Sequence, residues 1–112
     1  MDQPTLFEQP AETAETERIL LFALGDFQSR KKQLADRELP LDRLRGAFKR
    51  AAEKFGVAEL PDEKLAETLR KLGARVVEVP SFVAKHPYRV TVPVETAVRA
   101  RRFYDELKDG EV

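Results

Sequence analysis

Residues 40–73 read PLDRLRGAFKRAAEKFGVAELPDEKLAETLRKLG, and this stretch decides the fold. Its apolar residues recur three and four positions apart, which is the period of one helical face. Gly56 suits the end of one helix, and Pro61 suits the first turn of the next. The pattern therefore predicts a helix opened by Pro40, a short link and a second helix ended by Gly73. The predicted inner positions are Leu41, Leu44, Ala47, Phe48, Ala51, Ala52 and Phe55, then Leu65, Leu69 and Leu72.

An earlier helix is predicted upstream of this pair, with Thr13 or Thr16 as its N-cap. Gly25 interrupts its apolar stripe, so either the helix ends or bends there or a neighbouring element packs close against it. Close packing is the favoured interpretation. Residues 1–12 are expected to form a disordered acidic arm. The stripe comprises Leu20, Ala23, Leu24, Phe27 and Leu34.

The period changes after Gly73. Residues 74–79 are rich in valine, and residues 88–92 alternate apolar and polar side chains, so both predict strands of a hairpin joined by residues 80–87. Pro93 then leads into a last helix. The fold class is therefore mainly α with a small β-hairpin, comprising a domain over 13–108 and an acidic tail over 109–112. Inner positions of the last helix are expected at Val94, Ala97, Val98, Ala100, Tyr104 and Leu107.

Charge is unevenly distributed along the 112 residues. The 20 basic and 20 acidic side chains cancel, yet residues 18–104 hold a surplus of eight positive charges because both ends are acidic. The length supports one domain. The chain has no cysteine, and its longest apolar run is six residues, so disulfides, thiolate metal sites and a membrane span are excluded. We expect a soluble, cytoplasmic protein.

The order helix, helix, turn, helix, hairpin, helix resembles the winged helix-turn-helix family over residues 16–108. The resemblance implies that residues 62–72 form a recognition helix in the major groove and that residues 80–87 form the tip of a wing. It also implies a homodimer paired through the first and last helices. The exposed positions of the recognition helix would be Glu63, Lys64, Glu67, Thr68, Arg70 and Lys71.

Duplex DNA is the partner that this basic middle and the resemblance favour. Asp62, Glu63 and Glu67 weaken the case for the third helix, whereas residues 85–102 carry several cations against Glu95 alone. The basic residues of 43–54 are interpreted as a solvated helix face. The candidate DNA-contacting side chains lie on the third helix, the hairpin and the last helix: Lys64, Thr68, Arg70, Lys71, Lys85, His86, Arg89, Arg99, Arg101 and Arg102.

No catalytic constellation is found. His86 and Arg89 match the His-x-x-Arg spacing of tyrosine recombinases, and Tyr104 follows, but those enzymes have a far larger catalytic domain. His86 is therefore interpreted as a residue of a turn tip, with or without a phosphate contact. One histidine without cysteine makes no zinc site. We expect no cofactor, no metal and no enzymatic activity.

The arm carries a short motif. Gln3-Pro4-Thr5-Leu6-Phe7 resembles the Gln-x-x-Leu-Phe peptide with which bacterial replication and repair proteins dock on the DNA sliding clamp. Gln3 would supply hydrogen bonds while Leu6 and Phe7 fill an apolar pocket. The alternative is that Leu6 and Phe7 pack on the domain itself or on a second copy.

Two functions are thus predicted. The first is a small DNA-binding protein, acting in transcriptional control or as an accessory factor of a mobile element or of replication. The second is a protein-interaction adaptor of the same fold, with the arm as its docking peptide.

Overall fold

The structure, a computed structural model, describes the backbone of residues 4–80 and 88–110 and the side chains of 14–80 and 88–110. These residues form four helices and three strands, which confirms the mainly α class with a small sheet. No helix among them is long and apolar enough to cross a bilayer. In chain order the elements are α1 (Pro4–Ser29), β1 (Glu38–Pro40), α2 (Leu41–Phe55), α3 (Asp62–Lys71), β2 (Arg75–Glu78), β3 (Tyr88–Thr91) and α4 (Val94–Asp109).

Helix α1 is the central element, in contact with α2, α3 and α4. Because it has neighbours on several sides, the whole run from residue 19 to residue 27 is buried, including the predicted stripe as far as Phe27. Leu34, the last predicted position of that stripe, is also buried but lies beyond the end of α1. The helix begins at Pro4, so neither Thr13 nor Thr16 is its N-cap, and Thr16 is buried within it. The backbone of residues 4–12 is therefore helical where the sequence predicts a disordered arm. Pro4 is in the first turn, where proline is tolerated, and the alanines and glutamates that follow are good helix formers. Pro10 lies inside the helix and has no backbone N–H to donate, which is unfavourable there.

Helices α2 and α3 confirm the prediction from residues 40–73. Gly56 ends α2 in the left-handed conformation, at φ 69°, which glycine adopts without strain, and its N–H donates to the carbonyls of Ala52 and Glu53. Pro61 precedes α3, and its carbonyl accepts from the N–H of Leu65 at 3.0 Å. The two helices pack their apolar faces into the core that α1 centres.

The three strands form an antiparallel sheet in the order β1-β3-β2. Leu39, Val90 and Val76 align in one register row and are all buried, so this row faces the core. Arg75 and Arg89 occupy alternate positions on the opposite, outer face. The β2–β3 hairpin was predicted and β1 was not. Residues 81–87, which join the two strands, lie outside the described residues, and so does the predicted wing tip over 80–87 except for Pro80.

Helix α4 runs antiparallel along α1, and the two helices approach each other closely at Gly25. A Cβ at Gly25 would lie 2.6 Å from the carbonyl oxygen of Ala100 and would overlap the Cβ of Tyr104, which confirms close packing.

Two predicted inner positions of α4 are wrong, because Val94 is 49% and Val98 50% exposed. Thr96 is buried instead, since α4 also meets the end of α3, where the Thr96 hydroxyl donates to the Leu72 carbonyl at 2.7 Å.

Candidate nucleic-acid interface

The outer ridge of α3 is acidic in its first half and basic in its second. Glu63 and Glu67 are exposed one turn apart, and Arg70 and Lys71 are exposed in the last turn. This order stabilises the helix itself, because acids near the N-terminus and bases near the C-terminus oppose the helix dipole. The ridge as a whole is therefore close to neutral.

Thr68, a predicted contact on this helix, is not on the ridge. Its side chain is 3% exposed, and its hydroxyl donates to the Lys64 carbonyl at 2.9 Å. Thr68 follows Leu65 by three positions, so both residues share the face that packs into the core. The prediction that Thr68 is exposed is wrong.

The N-terminus of α3 is tied to α2 by an ion pair. Arg45 Nη2 lies 2.8 Å from Asp62 Oδ1, and Arg45 Nε lies 3.3 Å from Asp42 Oδ1. Partial burial alone lowers the pKa of Arg45, but the hydrogen bonds and charges of Asp62 and then Asp42 raise it above its usual value. Arg45 thus contacts two carboxylates, Asp42 on its own helix α2 and Asp62 at the start of α3.

Desolvation and the acidic side chains of α3 and β2 together raise the pKa of Tyr88, which is the first residue of β3. Desolvation raises the pKa of the Tyr88 phenol, and the negative charges of Glu78, Glu63 and Asp62 raise it further, while Arg70 opposes them. The first turn of α3 and the end of β2 therefore bring several acidic side chains close to Tyr88, at the end of the hairpin where the joining residues begin.

Four cations lie around β2, and one of them, Arg70, is the cation that also acts on Tyr88. Arg70 and Lys71 end α3, only Leu72, Gly73 and Ala74 separate that helix from β2, and Arg75 begins the strand. Arg89 lies in β3 and pairs with Val77 of β2. Arg89 is therefore a diagonal neighbour of Arg75 on the outer face of the sheet. No carboxylate of the described residues lies within ion-pair distance of these four. We call Arg70, Lys71, Arg75 and Arg89 the β2 cluster.

Arg70 also covers the free edge of the sheet. β2 is an edge strand, and Arg70 Nη2 donates to the Val76 carbonyl at 3.3 Å. The contact satisfies one backbone acceptor that β3 does not reach. It fixes the end of α3 against the hairpin and holds the guanidinium beside the strand that carries Arg75.

The predicted arginines of the last helix are exposed but belong to another part of the molecule. Arg99, Arg101 and Arg102 lie on α4, which packs along α1 and meets α3 at Thr96. Arg101 is in an ion pair with Asp105 at 3.1 Å. No contact of the described residues links these arginines to the β2 cluster.

The other candidates fall into two groups. Lys85, His86 and Gln3, and the side chains of Leu6 and Phe7, lie outside the described residues, so the predictions for the wing and for the docking peptide stay predictions. Tyr104 packs against the ring of Phe22, with centroids 5.0 Å apart. Tyr104 therefore lies in the packing interface between α1 and α4. Among the described residues, no group of three potential metal ligands is assembled.

Arg75 is the member of the β2 cluster that the sequence analysis did not single out. The signal was present, because Arg75 alternates with the apolar Val76 at the start of a predicted strand and must then face outward. What the sequence did not supply was the pairing register that makes Arg75 a neighbour of Arg89.

Comparisons with protein families, with curated proteins and with solved structures give no significant match to this chain.

Proposed function

We propose that the protein binds duplex DNA, with the β2 cluster as its contact to the phosphate backbone. The winged helix-turn-helix interpretation of the fold is part of this proposal. It is supported by the order of α1, the α2–α3 pair, the β2–β3 hairpin and α4. The homodimer and the biological role, in transcription or as an accessory factor, stay predictions from the sequence.

The β2 cluster is the observation that carries the proposal. Its cations come from two adjoining elements, α3 and the hairpin, and none forms an ion pair with a described carboxylate. The nearest acid on the outer face is Glu38 of β1, a diagonal neighbour of Arg89 beyond ion-pair distance. Phosphate neutralisation by such groups releases counterions from DNA, which drives binding at low salt. The residues that join β2 to β3 add Lys85 and His86 in sequence.

A pair of matched variants tests this function. Arg75→Gln combined with Arg89→Gln should weaken binding to a fluorescent duplex on the order of ten-fold in an anisotropy titration, because two phosphate contacts are lost. Arg99→Gln combined with Arg102→Gln removes the same charge from α4 and should leave the affinity nearly unchanged. Equal losses in both pairs would assign the binding to net charge. No binding of the unmodified protein at low salt would refute the proposal.

An adaptor function is the second candidate, and one observation favours it. Glu63 and Glu67 are exposed on α3, and Glu78 adds a negative charge near Tyr88, at the end of the hairpin where the joining residues begin. Such a surface repels phosphate but attracts a basic protein. Glu63→Gln combined with Glu67→Gln should then abolish capture of that partner while leaving folding intact.

A further inference from the structure

We infer that the protein recognises the backbone of duplex DNA and discriminates little between base sequences. The inference rests on the proposed DNA binding and concerns which chemical features of the duplex the protein reads. Direct readout needs side chains that reach base edges, whereas phosphate contacts position a protein without carrying sequence information.

The first half of α3 lacks the side chains that read bases best. In helix-turn-helix proteins, the N-terminal residues of the second helix contact the base edges. Arginine pairs with guanine through two hydrogen bonds, and asparagine or glutamine pairs with adenine in the same way. Residues 62–67 read DEKLAE and contain none of these three types; lysine also pairs with guanine, and Lys64 is the one lysine of this segment.

Several polar side chains of α3 either contact other residues of the protein or are buried. Asp62 is held by Arg45, and Lys64 Nζ lies 4.0 Å from Glu67 Oε1. Thr68 is buried. The arginine of this helix, Arg70, is directed to the Val76 carbonyl at the edge of the sheet.

The exposed acids oppose insertion of this half of α3 between two phosphate strands. Glu63 and Glu67 occupy its ridge, and both would lose hydration beside like charges in a groove. The β2 cluster follows directly on the C-terminal side. We therefore expect the end of α3 and the outer face of the hairpin to lie against phosphates, with the acidic turn held away from the bases.

One alternative keeps sequence recognition. A glutamate can accept a hydrogen bond from the amino group of cytosine. If Glu63 or Glu67 reads cytosine in this way, the protein will prefer a defined cytosine-containing site.

Selection from a pool of random duplexes, followed by titration of the recovered sequences and their scrambled versions, decides between these possibilities. We expect no enriched motif and affinities that differ by less than ten-fold. A recovered motif bound at least ten-fold more tightly than its scrambled version would overturn the inference. If no duplex binds at all, the proposed function itself fails, and the two failures are thereby distinguished.

Removal of the acids gives an independent test. Glu63→Gln combined with Glu67→Gln should bind every duplex several-fold more tightly, because repulsion from phosphate is removed. Glu95→Gln combined with Glu106→Gln changes the charge equally on the exposed side of α4 and should have a smaller effect. A loss of affinity in the α3 variant, confined to one duplex sequence, would show that an acid reads a base and would overturn the inference.

Discussion

At the scale of single residues, Gly25 controls how closely α1 and α4 pack. We expect Gly25→Ala to lower the free energy of unfolding by about 2–3 kcal/mol, because the added methyl meets backbone and Cβ atoms that cannot turn aside. Gly46→Ala is the matched control. Gly46 is exposed on α2, and its added methyl would meet only Arg50 Nη1, at 3.5 Å, which is an ordinary van der Waals distance. Alanine should stabilise α2 there by up to about 1 kcal/mol. Urea unfolding of both variants measures the difference, and equal effects would contradict the close packing.

Tyr88 provides a residue-scale test of the acidic region. Its pKa in the folded protein lies above the ordinary value of 10.0. The folded state therefore holds the phenol proton more tightly than the unfolded chain does. The resulting stability is present below pH 10 and is lost as the pH rises through the pKa of the folded state. Tyr88→Phe should lose less stability than the unmodified protein between neutral pH and high pH, as measured by urea unfolding.

The source of that shift can be tested directly. In a Tyr104→Phe background Tyr88 is the one remaining tyrosine, so the ultraviolet absorbance of phenolate reports it alone. Adding Glu78→Gln should move its pKa down towards 10, since a negative charge is removed. An unchanged pKa would mean that Glu78 does not contribute to the potential at Tyr88.

At the scale of elements, the Thr96 hydroxyl joins α4 to the end of α3. Thr96→Val keeps the shape of the side chain but leaves the Leu72 carbonyl without this buried donor, and we expect a loss of about 1–3 kcal/mol. Thr91→Val is the control, because Thr91 is only partly buried and its side chain makes no described hydrogen bond. Thermal unfolding compares the two. A smaller loss for Thr96→Val than for Thr91→Val would contradict a structural role for this junction.

The elements also show what sequence patterns can predict. Helices α2 and α3 were predicted because periodic apolar faces and the Pro and Gly signals at their ends agree. β1 was not, because its three residues have no period of their own and become a strand only through pairing with β3. The early start of α1 was missed for a related reason, since scattered acids and two prolines suggest disorder locally. A pattern therefore predicts an element best when its signal is local.

The residues of the candidate site show the same difference between positions that a local pattern predicts and positions that depend on packing. The outward positions of Arg70, Lys71 and Arg89 follow from periodicity and were predicted. Thr68 was misplaced because residues of α3 beside Leu65 are covered by the core, and a helical wheel alone does not give the width of that contact. Val94 and Val98 were misplaced for the opposite reason, because α4 has one main neighbour and buries a narrow face.

At the scale of the whole molecule, ion pairs decide which part of the positive surplus is available. Asp26 is 6% exposed and lies 2.6 Å from Arg50 Nη2 and 3.5 Å from Arg30 Nε. Together with the pairs of Arg45 and Arg101, this contact commits several cations to holding helices in place. The surplus of eight charges in residues 18–104 therefore overstates the charge free to bind phosphate.

Salt dependence measures that available charge. If the β2 cluster makes four phosphate contacts, the logarithm of the association constant should fall with the logarithm of salt concentration with a slope of about −4. Replacing Arg75 and Arg89 by Gln should reduce the magnitude of the slope by about two, because each phosphate contact contributes about one. The Arg99 and Arg102 variant should keep the slope of the unmodified protein. A slope of about −8, lowered equally by both pairs of substitutions, would mean that the whole surplus acts and that the β2 cluster has no special part in binding.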